Sequence, residues 1–157
     1  MEINVREWKR GDLPELNRAW LDFCRGSLRP DMQLVRDPEA AMMDWLSLRF
    51  EEPDTLGLIA EAGAEFAGFV IGRIAVCETI PPVTQPRKMG IIDALYVHKP
   101  FRGNKVGTRL IERVLQIMGQ RHATVVETTY DAWREEAAQT WTQTGFKPSM
   151  VHAYRML

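Results

Sequence analysis

Residues 93–107 read D-A-L-Y-V-H-K-P-F-R-G-N-K-V-G, and the helical pattern T-R-L-I-E-R-V-L follows directly. A strand that ends near a proline, a short basic loop with glycines and then a helix form an order of elements that aims backbone N–H groups at an anion. The first amides of a helix lack intrahelical partners and sit at the positive end of its dipole. Arg102 and Lys105 add charged donors, while Gly103 and Gly107 remove side chains that would keep a ligand away from the main chain. The chemistry favoured is the binding of a phosphate-bearing ligand. Neither common glycine-loop pattern occurs, since the chain contains no G-x-x-x-x-G-K-[ST] and no G-x-G-x-x-G.

The elements that must position this loop can be read outward from it. Residues 3–7 alternate apolar and polar as a first strand does. G-D-L-P-E predicts a helix start with Asp12 as N-cap, Pro14 in the first turn and Glu15 completing a capping box. The helix over 13–25 then shows Leu16, Trp20 and Phe23 on one face. D-P-E at 37–39 opens a second helix carrying Ala41, Trp45 and Leu48. Residues 55–77 hold two strand patterns joined by a turn at Gly63-Ala64, an antiparallel hairpin. K-M-G-I-I-D-A-L-Y-V is the strand that enters the basic loop. The helix after the loop, about 104–119, places Val106, Leu110, Ile111, Val114, Leu115 and Met118 on one broad face, with Arg109, Glu112, Arg113 and Gln116 opposite. A-T-V-V-E-T-T is a strand parallel to the one before that helix, because a strand-helix-strand crossover joins parallel strands. A last helix over about 134–144 stops at Gly145, and residues 146–157 are read as closing strand material.

At 157 residues, 45% of them hydrophobic, the chain fits one domain, 1–157, with a sizeable core. Twenty basic and twenty-one acidic residues nearly cancel, so no global field draws in a nucleic acid or an anionic membrane. Cys24 and Cys77 have no C-x-x-C spacing and read as free buried thiols in a reducing compartment. The N-terminal residues lack the pattern of a signal peptide and no apolar stretch approaches membrane-spanning length, which makes the expected location cytoplasmic. His98, His122 and His152 are scattered without metal-site spacing.

The loop resembles the signature of the GNAT superfamily of N-acetyltransferases, Gln/Arg-x-x-Gly-x-Gly/Ala, which binds the pyrophosphate of acetyl-CoA. Arg102 stands at its first position and Gly107 at its last, with Lys105 in place of the middle glycine. A residue in the first turn of a helix takes negative φ, so this substitution is expected to be conformationally neutral and to leave Lys105 as a point charge for a phosphate. The order of elements resembles the family over essentially the whole chain. The fold this implies is α/β: a mixed, mostly antiparallel sheet with a central parallel strand pair splayed around the cofactor, flanked by about four helices. The resemblance further implies that the backbone of Leu95, Tyr96 and Val97 pairs with the pantetheine arm. The loop residues Arg102, Gly103, Asn104, Lys105, Val106, Gly107 and Thr108 are expected to hold the phosphates. R-E-E-A-A-Q-T-W-T-Q-T-G-F is similar to the family's closing N-x-x-A-x-x-F-Y-x-x-x-G-F, with Ala137, Gly145 and Phe146 matching. Arg134 replaces the Asn, Thr140 the Phe and Trp141 the Tyr.

That tyrosine assists the departing thiolate in many family members, and an indole N–H donates a hydrogen bond without supplying a proton. Trp141 therefore reads as cofactor-side packing with Trp133 and Ala137. A thiol of pKa about 8.5 leaves tolerably as the anion. The expected activity is transfer of acetyl from acetyl-CoA to a primary amine, small-molecule or peptide, by direct attack in a ternary complex that releases CoA. A non-catalytic CoA-binding module is the alternative. Because an alkylammonium has a pKa near ~10.4, freeing the attacking amine at neutral pH costs about 4 to 5 kcal/mol, which calls for a general base. Asp93, in a largely apolar stretch, and Glu127, in V-V-E-T-T, are the two candidates, with Tyr96 and Tyr130 as hydroxyl partners. The acceptor wall is expected from Trp20, Phe23, Met32, Trp45, Phe69 and Arg73. Nucleic acid and membrane are not expected as partners; the resemblance admits a homodimer, since dimers are common for this fold, but no segment of the sequence marks an interface.

Overall fold

The computed structural model describes residues 1–78 and 81–157. Five strands, β1 (Ile3–Glu7), β2 (Thr55–Ala62), β3 (Glu65–Cys77), β4 (Arg87–Val97) and β5 (Val125–Thr128), lie in one sheet in sequence order. The first four pair antiparallel, and β5 runs parallel to β4 after the crossover through a helix. The helices are α1 (Leu13–Arg25), α2 (Pro38–Glu51), α3 (Val106–Gln120) and α4 (Glu135–Gln143). This is the mixed, mostly antiparallel α/β sheet with a parallel pair and four helices that the sequence predicts.

Alternating side chains of β2, β3 and β4 feed two cores, one on each face of the sheet. On one face Leu58, Ala60, Val70 and Ile92 meet Val106, Leu110, Ile111, Val114 and Met118 of α3, together with Trp141 of α4. On the other Ile59, Phe69, Ile71 and Ala94 meet Leu13, Leu16 and Ala19 of α1 and Leu46 of α2. Each fully buried Leu or Ile contributes about 1.5–3 kcal/mol, so the α3 stripe alone accounts for that helix lying on the sheet. Its predicted polar side, Arg109, Glu112, Arg113 and Gln116, is exposed.

Several expectations fail locally. Residues 146–157 form no strand, so β5 ends the sheet and the parallel pair lies at its edge. Pro148 has no N–H for a ladder, and Met150 and Val151 are exposed with no face to pack on. The buried side chain of α2 is Leu46, while Ala41 and Leu48 face outward. Asp12 precedes α1 as expected but caps nothing there. Its carboxylate instead accepts from Arg6 and from the amide of Lys9, closing a 3-10 turn over Arg10–Asp12. Trp133 lies outside α4 and is 70% exposed, so it does not continue the Ala137 and Trp141 stripe. Cys24 and Cys77 are free and half-buried, and burial pushes the Cys24 thiol up.

Candidate active site

β4 and β5 pair only from Met89 and Val125 to Ile92 and Thr128. The Thr128 hydroxyl donates to the Ile92 carbonyl at 3.1 Å, the last link before the strands part. At that point β4 also carries a bulge: Ile71 faces Ala94 and Gly72 faces Ile92, leaving Asp93 without a partner residue across from β3. A β-carbon on Gly72 would lie 2.6 Å from the Ile91 carbonyl oxygen, so only glycine permits this approach of β3 to β4 beside the bulge. Beyond the bulge, β4 presents its edge to a cleft of about 910 Å³.

Of the residues singled out in the sequence, Asp93, Leu95, Tyr96, Val97, Arg102, Gly103, Lys105, Val106, Gly107, Thr108, Ala137 and Trp141 line this cleft. Asn104 and Glu127 do not. Asn104 turns its amide back onto the carbonyls of Phe101 and Arg102, both at 3.3 Å, and braces the loop from outside. Glu127 lies opposite Ile91 in the ladder, 3.6 Å from Arg87, with its side chain 53% exposed.

The loop reaches α3 through two left-handed residues, Gly103 at φ 79° and Lys105 at φ 60°. Lys105 is the N-cap of α3 and supplies no side-chain cap. The expectation of negative φ at Lys105 is thus wrong. A non-glycine residue in this conformation costs about 1–2 kcal/mol, and the family pattern has glycine there for that reason. Arg102 folds over the loop, its Nε donating to the Val97 carbonyl at 3.1 Å. A β-carbon on Gly107 would stand 3.5 Å from Val97 and 3.8 Å from Thr140, filling space where the first turn of α3 faces β4 and α4.

Asp93 is not in the apolar setting expected of it: its carboxylate lies 3.2 Å from Nε of Arg73. The Tyr96 hydroxyl lies 3.1 Å from His98 Nδ1, and its ring stacks on Phe69 with centroids 5.7 Å apart. Burial, more than the charges nearby, raises the proton affinity of the Tyr96 hydroxyl. Trp141 is 5% exposed, stacked on Tyr130 and edge-on to Phe146. Of the expected acceptor wall, Phe23 lines the cleft, whereas Trp20 spends its ring on Trp45 and Phe69.

Tyr130, a hydroxyl candidate from the sequence, lines the cleft, while sequence reading missed Ser27, Thr128, Thr129, Asp131 and Arg134, which line it too. Arg134 donates to the Gly26 carbonyl at 3.1 Å and to Ser27 Oγ at 2.7 Å, and lies 3.4 Å from the Asp131 carboxylate. Its presence where the family pattern has a neutral Asn was the available signal.

The site fits an extended, phosphate-bearing thioester. An uncapped helix start and two cations stand at one end, and the edge of β4 beyond its pairing with β5 runs along the side. Among the described residues, no group of three or more His, Cys, Asp or Glu is placed to hold a metal, and no helix is long and apolar enough to cross a membrane.

The sequence matches the acetyltransferase (GNAT) family over residues 14–146. A curated relative, an uncharacterized N-acetyltransferase of Archaeoglobus fulgidus, is 29% identical over 143 residues, 87% of this chain and 91% of that one. Among solved structures, a transcriptional regulator from Bacillus halodurans is similar with a TM-score of 0.80 at 19% identity, covering 99% of this chain and 100% of that one. An aminoglycoside N-acetyltransferase in complex with CoA is similar with a TM-score of 0.79 at 15% identity, covering 99% and 95%. The two solved structures carry the fold; the family match carries the activity class, and the chain belongs to the GNAT family of acetyltransferase enzymes.

Proposed function

We propose that this enzyme transfers the acetyl group of acetyl-CoA to a primary amine, of a small molecule or a peptide, by direct attack in a ternary complex. The observation that carries this reading is the parting of β4 from β5 at Ile92 and Thr128, beside the uncapped start of α3. The amides of Val106, Gly107 and Thr108 with Arg102 and Lys105 hold the phosphates. Beyond Ile92 the backbone of Leu95, Tyr96 and Val97 offers main-chain groups to an extended amide chain, as an added strand would use them. Ala137 and Trp141 cover the same ligand from α4. Bound acetyl-CoA supplies a thioester carbonyl activated toward amines.

In the step itself the amine lone pair forms the new C–N bond and the C–S bond breaks, its electron pair leaving on the thiolate. The amine proton passes to Asp93, the carboxylate at the bulge, held in place by Arg73. Asp93 is preferred to Glu127 because it lines the cleft. Trp141 donates at most an N–H hydrogen bond, so the thiolate departs unprotonated.

The test is release of free thiol from acetyl-CoA with a panel of primary amines, the products weighed by mass spectrometry. Amine-dependent release with one acetyl group gained per product supports the reading. Tight acetyl-CoA binding without amine-dependent release would sink it.

A further inference from the structure

The sheet stops at β5, and the chain that follows α4 does not extend it. Among the described residues no strand pairs with the outer edge of β5. The last main-chain hydrogen bond toward the C-terminus is the one that the Phe146 amide donates to the Trp141 carbonyl at 3.0 Å. Beyond it, Met150, Val151, Tyr154, Met156 and Leu157 are all exposed. Two rows of backbone donors and acceptors, one on β5 and one on the tail, are thus without a strand partner. A free edge of this kind is a template for an added strand. The sequence of β5, V-V-E-T, holds no proline or lysine to blunt it.

The tail has the pattern of a strand that is covered on both sides. Met150, His152, Tyr154 and Met156 fall on one face of an extended chain and Val151, Ala153, Arg155 and Leu157 on the other, so both faces are mainly apolar. One chain supplies cover on one side only. Val126 of β5 packs into the core that holds α3 and Trp141, whereas the core under α1 and α2 takes no residue of β5 among those described. A tail folded back on its own β5 would leave an apolar face bare. On the α1 side the chain presents a second exposed apolar segment, Leu28, Met32, Leu34 and Val35, and Arg29 of that segment lies over the Tyr154 ring, 4.5 Å from its centroid. Residues 28–35 and 147–157 together approach the about 20–30 residues that one side of a standard interface uses. The signs of charge also match. The tail's charged side chains are Lys147 and Arg155, and that of β5 is Glu127, whose exposed ion pair with Arg87 at 3.6 Å is a weak one.

We propose that β5 and the C-terminal tail form a reciprocal interface between two copies of this chain. The tail of each copy adds as a strand to the outer edge of the other's β5, and the 28–35 segments cover the face that a single chain leaves bare. The same patch serves on both copies, so two equivalent additions close the pair and leave neither edge free. The interface reaches the site, because β5 ends at Thr128, whose hydroxyl donates to the Ile92 carbonyl, and Thr128, Thr129 and Tyr130 line the cleft. Each tail therefore braces a strand that walls the other copy's cleft. The proposal uses the free edge and the tail alone and is independent of the acetylation reading.

The experiment is analytical ultracentrifugation of the full chain over about 1–100 μM, with hydrogen exchange read at residues 125–128 and 150–157. It compares the wild type with Ala153→Pro and with the double variant Val151→Asp, Leu157→Asp. The wild type should be a concentration-dependent dimer in which both segments are protected from exchange. Ala153→Pro, which removes a ladder donor from the tail, should raise the dimer Kd about tenfold or more and speed exchange in both segments together. The double variant puts charge on one face of the tail and leaves its backbone intact. It should shift the dimer the same way, so the proposal stays testable if the proline variant does not fold. A wild type that is monomeric throughout the range, or a dimer whose Kd neither variant moves, overturns the proposal. Protection of both segments in a monomer overturns it as well, since the tail would then be paired with its own β5.

Discussion

The guanidinium of Arg73 stands 3.2 Å from the carboxylate of Asp93, the residue that the β4 bulge leaves without a partner across from β3. The bulge aims Asp93 into the cleft and the arginine fixes where its oxygens lie. Asp93→Asn keeps the shape and removes the proton acceptor. Its kcat/KM should fall by about 10²–10⁴ near neutral pH, and the deficit should shrink as pH rises and neutral amine accumulates. A pH–rate profile checks this; a profile parallel to that of the wild type would remove Asp93 from the mechanism.

Arg102 is held over the loop by a single bond to the Val97 carbonyl, so it can turn to a phosphate at small cost. A hydrogen bond to a charged group contributes about 1.5–3 kcal/mol. Arg102→Ala should therefore weaken acetyl-CoA binding by about tenfold to a hundredfold, read by calorimetry. Asn104→Ala, which touches only the outside of the loop, should change affinity far less.

Lys105 combines a strained backbone with a useful charge, and the two can be separated. Lys105→Gly should raise stability by about 1 kcal/mol in denaturant unfolding, while acetyl-CoA affinity falls. Lys105→Ala should lose the affinity without gaining the stability. Equal stability of the Gly and Ala variants would contradict the left-handed conformation.

Asp12 accepts two bonds of 2.8 Å from Arg6 and one of 2.6 Å from the Lys9 amide. The hydrogen bonds from Arg6, foremost, hold its carboxyl below the usual range. A carboxyl with a depressed folded-state value contributes stability that is present above its unfolded value, about 3.9, and is lost as pH falls through the folded value. Thermal melts in acid should show a shallower loss of stability with falling pH for Asp12→Asn than for wild type, with the two curves converging at the acid end.

The parts of this fold that sequence made legible are those governed by local periodicity. The Val106, Leu110, Ile111, Val114 and Met118 stripe follows the 3.6-residue repeat, and burial on a sheet face was its only available use. The loop between β4 and α3 was legible for the same reason, as a junction between two strong patterns. The φ of Lys105 was not, because it is set by the path the chain must take once β4 and α3 are packed. The side on which Glu127 falls depends on the register of β5 against β4, which a four-residue strand does not encode by itself. The link from Arg134 to Ser27 joins residues 107 positions apart and exists only after folding. Residues 146–157 carry strand-like sequence, yet they form no strand and all but Phe146 are exposed.

The most direct test of the central claim is the stoichiometry of thiol release when purified protein is mixed with acetyl-CoA and a linear primary amine. One free thiol per acetylated amine, at a rate that depends on amine concentration and falls in Asp93→Asn, is the predicted result. Thiol release that is independent of amine, or none from a protein that binds acetyl-CoA tightly, would contradict it.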